Sequence, residues 1–296
     1  MGFGIFGDAR YTVAHLSDPH LCANGAWLGG KVDTMANLRA AGERLRARGS
    51  GLDAIVVTGD ITDLGEPDAY RIAREVLGPV AGELGAELIW VIGNHDERQT
   101  FHQMLLGESS DAPVHLVRWV DSLRIIAIDV SVPGFHHGEF TEEAAAWLQT
   151  QLADTAPSGT VLAMHHAPIA SPVGLMDVLE LRGQGRLAEV VRGSDIRIIL
   201  GGHLHYPTNG TFAGIPVAVA GATAYSIDIA ASPRELVGSD GGQSFSLVHL
   251  GADWVTTSVV PLEAATRVSH FPAELLDELE QVDDAGRLAR FSKKPA

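Results

Sequence analysis

A single cysteine, Cys22, is the scarcest informative residue in this 296-residue chain. It excludes an internal disulfide and agrees with a reducing compartment. No apolar run approaches the ~18 to 20 residues that a membrane span needs, so no integral membrane segment is expected. Residues 1–10 have neither a basic n-region nor an adequate apolar h-region, so no signal peptide is expected and a cytoplasmic location follows. Positive charge is scarce too. Lys and Arg total 21 against 37 Asp and Glu, and the net charge is −16. Such a surface repels nucleic-acid backbones and anionic lipid, which argues against a groove tracking long DNA or RNA. A small phosphate substrate stays compatible if its site supplies local positive charge.

What is present is an ordinary globular composition, 46% hydrophobic and 20% charged, long enough for one large domain or two small ones. Gly2-Phe3-Gly4-Ile5-Phe6-Gly7 fits the dinucleotide-binding glycine pattern. No strand precedes it and no helix opens from it, so it reads as a flexible terminus. Apolar runs predict strands over 11–17, 54–58, 87–92, 123–128, 160–164 and 196–200. Between them, helical spacing at Met35, Leu38, Ala41 and Leu45 places a loop and helix over 29–48. A second helix starts at Pro67 and runs to about residue 77, and a third covers 142–152. Later β-rich runs cover 215–220, 225–229, 245–250 and 254–260, with a Gly/Ser-rich hairpin connection at 239–244. A helix near 273–282 precedes a tail carrying Arg287, Arg290, Lys293 and Lys294, read as a solvated end. Alternating strands and helices followed by clustered strands imply an α/β fold, with one mixed sheet or two stacked sheets flanked by helices. The reading is one domain over 1–296, with a C-terminal helix and short tail from about 271.

The chemistry sits where strands end. Ile55-Val56-Val57-Thr58-Gly59-Asp60-Ile61-Thr62-Asp63 is a buried parallel strand running into a loop with two carboxylates. A buried carboxylate needs a partner. Asp18 and His20, Asn94, His165, and His203 and His205 follow other strands in the same way. Strand ends along one edge of a parallel sheet converge, and ligands two apart leave the same side of an extended segment. Seven oxygen and nitrogen ligands without a thiolate exceed the four of a tetrahedral structural zinc site and suit two metals sharing a carboxylate. Imidazole with carboxylate fits Zn, Mn or Fe.

Asp18-x-His20, Gly59-Asp60-x-x-Asp63, Gly93-Asn94-His95-Asp96, His165 and Gly202-His203-x-His205, in this order, resemble the calcineurin-like metallophosphoesterases. Gly65-Glu66-Pro67, Ser131-Val132-Pro133-Gly134-x-His136-His137-Gly138-Glu139 and the Tyr206 after His205 extend the similarity to the bacterial class III cyclic-nucleotide phosphodiesterases, especially mycobacterial members. The similarity reaches about residue 262; the tail beyond differs. The resemblance implies an αββα sandwich of two mixed sheets with the metals at its edge. It implies that Asp18, His20 and His205 hold one metal, that Asn94, His165 and His203 hold the other, and that Asp60 bridges them with a water or hydroxide that attacks phosphorus. It gives His95 a catalytic role, sets Asp63 and Asp96 behind the ligands, and implies a homodimer. The activity so implied is hydrolysis of 3′,5′-cyclic AMP or 2′,3′-cyclic nucleotides. A phosphatase or diesterase of other small esters, such as glycerophosphodiesters, is one alternative; a cyclic-nucleotide-binding protein with vestigial catalysis is another.

Physical chemistry supports this reading independently. Two divalent ions, two carboxylates and one hydroxide leave the site at roughly +1, an attraction for phosphate within an acidic chain. His95 directly follows a ligand, so it is expected beside the metals, where it can protonate the leaving oxygen. Asn94, His95, His136, His137 and His205 are the candidate substrate contacts. His165 and His166 alternate along a strand, so only one reaches the metals, and the resemblance favours His165. Among the other histidines, His15 reads as a hydrogen-bonded core residue, and His102, His115, His249 and His270 as surface or capping groups. Cys22, Trp90 and Trp147 read as packing residues.

Overall fold

Residues 5–263 and 265–294 are described in the computed structural model of the chain, so Gly2 and Gly4 of the rejected glycine pattern lie outside the described residues. The chain divides into two compact units, Met1–Glu263 and Ala264–Ala296. The first unit opens with β1 (Tyr11–Leu16), α1 (Thr34–Arg48), β2 (Ala54–Thr58), α2 (Pro67–Leu84), β3 (Glu87–Val91) and α3 (Arg98–Phe101). It continues with β4 (Leu116–Val120), β5 (Leu123–Ala127), β6 (Gly138–Glu139), α4 (Glu142–Gln151), β7 (Thr160–His166), β8 (Leu181–Arg182), α5 (Gln184–Val191) and β9 (Ile196–Gly202). It closes with β10 (Thr208–Phe212), β11 (Ile215–Val219), β12 (Ser226–Ile227), β13 (Gly238–Ser239), β14 (Ser244–Leu250) and β15 (Val255–Pro261).

Two mixed sheets carry the unit. The first has the order β15-β14-β1-β2-β3, and the second β10-β11-β9-β7-β5-β4. β1, β2 and β3 are mutually parallel, as are β5, β7, β9 and β11. Strand alternation sorts the apolar side chains into three layers. Val13, Val56 and Val91 of the first sheet meet Ile125, Val161 and Leu200 of the second in a dry inter-sheet core. On the outer face of the first sheet, Ile55 and Val57 pack under Leu38 and Leu45 of α1 and Tyr70 and Leu77 of α2. On the outer face of the second, Leu162 and Ile199 pack under Leu148 of α4 and Leu187 of α5. The result is the expected αββα sandwich.

Local chemistry sets the helix ends. Asp33 accepts from the Ala36 amide at 2.9 Å to start α1, and Thr141 accepts from Ala144 at 3.1 Å to start α4. Pro67 opens α2 as predicted, but α2 runs on through Pro79 to Leu84 and stops at left-handed Gly85. The buried face of Leu77, Val80 and Ala81 outweighs the one hydrogen bond that Pro79 deletes. Strand β10, with the sequence Thr-Asn-Gly-Thr-Phe, has no apolar run to announce it; β4, Leu-Val-Arg-Trp-Val, and α5 also lie outside the expected elements. The 239–244 stretch is no hairpin: β13 pairs with β12, whereas β14 pairs with β1 and β15. The second unit contains α6 (Ala273–Glu280) and α7 (Asp284–Arg287), with Phe271 and Phe291 rings 5.4 Å apart.

Where β5 and β7 begin, a buried cation ties the second sheet together. Arg124, 4% exposed, gives both Nη2 bonds to Asp195 at 3.0 Å, Nε to Thr160 Oγ1 at 2.9 Å, and Nη1 to the carbonyls of Gln151 and Asp154. Removing one member of such a pair strands the other charge. Arg124→Met is expected to lower unfolding stability by about 3–5 kcal/mol in urea denaturation. A loss below ~1 kcal/mol would mean that the pair is screened like a surface ion pair.

Candidate metal centre

Each chemistry-bearing side chain lies at or beyond the C-terminal end of a parallel strand. Asp18 and His20 follow β1, Asp60 and Asp63 follow β2, and Asn94, His95 and Asp96 follow β3. His165 lies at the end of β7, and His203 and His205 follow β9. The expectation of one sheet edge is therefore corrected. The first three strands belong to one sheet and the last two to the other, so the site straddles the sandwich.

The backbone here is also not the extended segment expected for ligands two apart. Asp18, His20, Asp60, His203 and His205 all have positive φ, between 42° and 68°. Non-glycine residues adopt that region only when their surroundings hold them there. The Asp18 amide donates to the Gly59 carbonyl at 3.1 Å and the His20 amide to the Asp60 carbonyl at 2.9 Å, so the two loops brace each other past the strands. Two glycines permit the approach. A Cβ on Gly93 would fall on the Asp60 amide nitrogen and carboxylate, and one on Gly202 on the Ser17 hydroxyl.

Hydrogen-bond accounting shows which atoms face inward. His20 Nδ1 donates to Asp63 Oδ1 at 3.1 Å, His165 Nδ1 to the Thr58 carbonyl at 2.7 Å, and His205 Nδ1 to the Tyr225 carbonyl at 3.1 Å. His203 uses Nε2 for the Leu179 carbonyl at 3.0 Å. Each ring is thereby fixed in one tautomer, with its other nitrogen turned inward. His20 and His205 then face each other Nε2 to Nε2 at 3.1 Å. Two neutral rings would meet lone pair to lone pair, an arrangement that a cation between them satisfies. Asp18, His20, Asp60 and His205 form one ligand group; Asp60, His165 and His203 form another, sharing Asp60. Asn94 Oδ1 lies 3.1 Å from His165 Nε2, beside the second group. The donor set fits two cations.

The charges tell the same story. Asp18 and Asp60 are buried, and their charged partners among the described residues are histidines. Burial works to raise the carboxyl pKa of Asp60, yet His165 and then His20 hold it well below the usual range. Asp18 likewise falls to about 2 against burial, chiefly through His205. Burial opposes a charged His165, but Asp60 at 3.2 Å raises it to about 9. Burial takes His203 down to about 3. Asp96 is pushed up to about 6, first by burial and then by Asp60.

The remaining predicted residues fall around this cluster. His95 donates its amide to Asp60 at 2.8 Å, and its Nδ1 lies 2.9 Å from the Asp63 carbonyl. Its ring sits 4.8 Å from His20 and 4.9 Å from His136. Asp63 therefore bears on His20 and His95 together. Asp96 touches no ligand ring; it accepts from Gly93, Ile61 and Thr62 amides and ties two loops. His136 Nδ1 accepts from Asn94 Nδ2 at 3.1 Å, whereas the His137 ring lies against Phe135. The His166 ring lies 4.2 Å from that of His203, behind the ligand groups, and its Nε2 donates to the His136 carbonyl at 3.0 Å. Cys22 is half-buried, and its Sγ lies 3.8 Å from the His20 carbonyl. His15 is buried against Thr58 as expected, but His102 is buried, with Nε2 donating to the Ala112 carbonyl. Sequence reasoning missed Tyr225, whose ring lies 4.4 Å from His205, and the carbonyls that fix the rings. Only the aromatic residue was legible in principle; carbonyl roles leave no sequence trace.

The "Calcineurin-like phosphoesterase" family model matches residues 11–207. The chain is 48% identical over 262 residues to the "cAMP/cGMP dual specificity phosphodiesterase" of Mycobacterium tuberculosis, covering 88% of this chain and 82% of that protein. It is 45% identical over 278 residues to a "Probable cyclic nucleotide phosphodiesterase" of Rhodococcus erythropolis, covering 94% and 92%. Among solved structures, the purple acid phosphatase from yellow lupin (Lupinus luteus) seeds aligns with a TM-score of 0.59 at 12% identity. That match covers 86% of this chain and 52% of the plant protein, and it bears on the fold alone.

Gly93→Ala is expected to leave the circular dichroism spectrum intact while sharply lowering bound divalent metal per chain, measured by elemental analysis. Metal content equal to that of the unaltered chain would mean that the loop tolerates a Cβ against Asp60.

Proposed function

The chain belongs to the calcineurin-like phosphoesterase family, and from that premise we propose that it is a metal-dependent phosphodiesterase acting on cyclic nucleotides. The observation that carries the reading is Asp60, one carboxylate shared by two ligand groups. Asp18, His20, His205 and Asp60 would hold one cation, and Asp60, Asn94, His165 and His203 the other. Nitrogen and oxygen donors without thiolate suit zinc, manganese or iron. When bound, such ions lower the pKa of water from 15.7 toward ~7 and offset charge on phosphoryl oxygens.

The chain's own residues do the rest. Asn94, whose amide Nδ2 is held by His136, aligns a phosphate oxygen. His95 donates Nδ1–H to the Asp63 carbonyl, which keeps its Nε2 available to carry a proton to the substrate. In opening a 3′,5′-cyclic nucleotide, a water oxygen bonds to phosphorus as the bond to the 3′ oxygen breaks. His95 Nε2 gives that oxygen its proton, and the proton shed by the water restores the balance. The product is a 5′-monophosphate. The names of the two relatives support cyclic nucleotides as the substrate class. A homodimer and a cytoplasmic location belong to the same proposal; among the described residues no helix is long and apolar enough to cross a membrane.

The test is a substrate panel on metal-defined protein, comparing kcat/KM for 3′,5′- and 2′,3′-cyclic nucleotides, glycerophosphodiesters and p-nitrophenyl phosphate. Cyclic nucleotides are expected to lead; a lead for the monoester would overturn the proposal. His95→Ala should cut kcat by about 10²–10⁴-fold with metal content kept. Asp60→Ala should lose both ions together, and retention of one would refute the bridging role.

A further inference from the structure

Beside Asn94 lies a cavity of about 300 Å³, between the loop after β3 and the loop after β5. Its walls include Glu97, Arg98, Gln99, Val132 and Pro133 as well as Asn94. One residue therefore belongs both to the metal centre and to this cavity. We propose that the cavity receives the nucleobase of the cyclic nucleotide; the inference rests on the phosphodiesterase reading and extends it.

The walls are built rather than incidental. Arg98 donates Nε to Asp129 at 2.8 Å and Nη2 to the Ser131 carbonyl at 3.0 Å. The Asp129 carboxylate is fully buried and also accepts from the Val114 and Ser131 amides. This network freezes the guanidinium plane and joins the two loops that frame the cavity. A fixed guanidinium plane, a proline ring and a valine give flat or apolar contact faces. Gln99 and Glu97 offer an amide and a carboxylate at the edge. A purine has the same character, with two stacking faces and an edge of donors and acceptors; Arg planes and such edges are how proteins hold splayed bases.

Charge argues against a second phosphate as the occupant. Arg98 is the one cation among the lining residues, and Asp129 already neutralises it. Glu97, Asp96 and Asp111 add negative charge to the same walls. An uncharged group with hydrogen-bond donors fits that field; a phosphate does not. A wider recess of about 690 Å³ between α1 and α2 shares no residue with the metal centre. Sharing none of the metal centre's residues, it is a poorer base site than the cavity that Asn94 lines.

Gln99 is exposed on α3 and its side chain makes no hydrogen bond among the described residues, so substitution there spares the fold. The measurement is the ratio of kcat/KM for 3′,5′-cyclic AMP to that for ribose 3′,5′-cyclic phosphate, the same diester without a base. Gln99→Ala should lower the ratio roughly three- to tenfold, the loss of one neutral hydrogen bond. Gln99→Trp, which fills the cavity, should lower it further. A ratio unmoved in both variants, on a chain that cleaves cyclic AMP, overturns the base site alone. A wild-type chain that cleaves bis(p-nitrophenyl) phosphate but neither cyclic phosphate overturns the cyclic-nucleotide reading and the base site with it.

Discussion

Two carboxylates, Asp18 and Asp60, are buried without a Lys or Arg beside them among the described residues, and much of the first unit is arranged to make that tolerable. An ionised carboxylate taken out of water is too costly to persist alone. Four imidazoles close around the pair, each pinned from behind by an oxygen acceptor. Five of the candidate ligand residues accept left-handed backbone, at about 1–3 kcal/mol each. Gly59, Gly93 and Gly202 give up side chains that would collide with His165, Asp60 and Ser17. Together these features suit a site that holds cations between the two carboxylates.

The inner framework was legible because its strands are short and doubly buried. Runs such as Ala54–Thr58 and Thr160–His166 are apolar on both faces, as strands covered from both sides must be. The edges were not. β10 is half-exposed and polar, so it does not stand out by composition, whereas β4, Leu-Val-Arg-Trp-Val, is mostly apolar yet lies partly exposed at the edge of the second sheet. The helix expected to end at about residue 77 runs on through Pro79 to Leu84, because burial of Val80 and Ala81 under the first sheet keeps it going.

For the site, residue types at strand ends were readable, since Asp, Asn and His after apolar strands have few other uses. Their geometry was not, because it is made by contacts distant in sequence. His20 meets His205 across 185 residues, and His165 meets the Thr58 carbonyl across 107. The choice between His165 and His166 shows the limit well. Alternation says that one of them faces the cluster, but only the partners, Asp60 for one and the His136 carbonyl for the other, decide which.

Both ligand groups draw on both sheets. Asp18, His20 and Asp60 come from the first sheet, and His165, His203 and His205 from the second. The spacing between His20 and His205 is therefore set by how closely the two sheets pack. That distance is fixed by the inter-sheet layer of Val13, Val56, Val91, Val161 and Leu200, which carries no chemistry of its own. Interiors packed to crystal density transmit strain rather than absorb it. A change of volume in that layer consequently moves one half of each ligand group against the other. The dry core acts as the ruler for the metal centre, and the Arg124–Asp195 pair fastens the second sheet at the opposite ends of its strands.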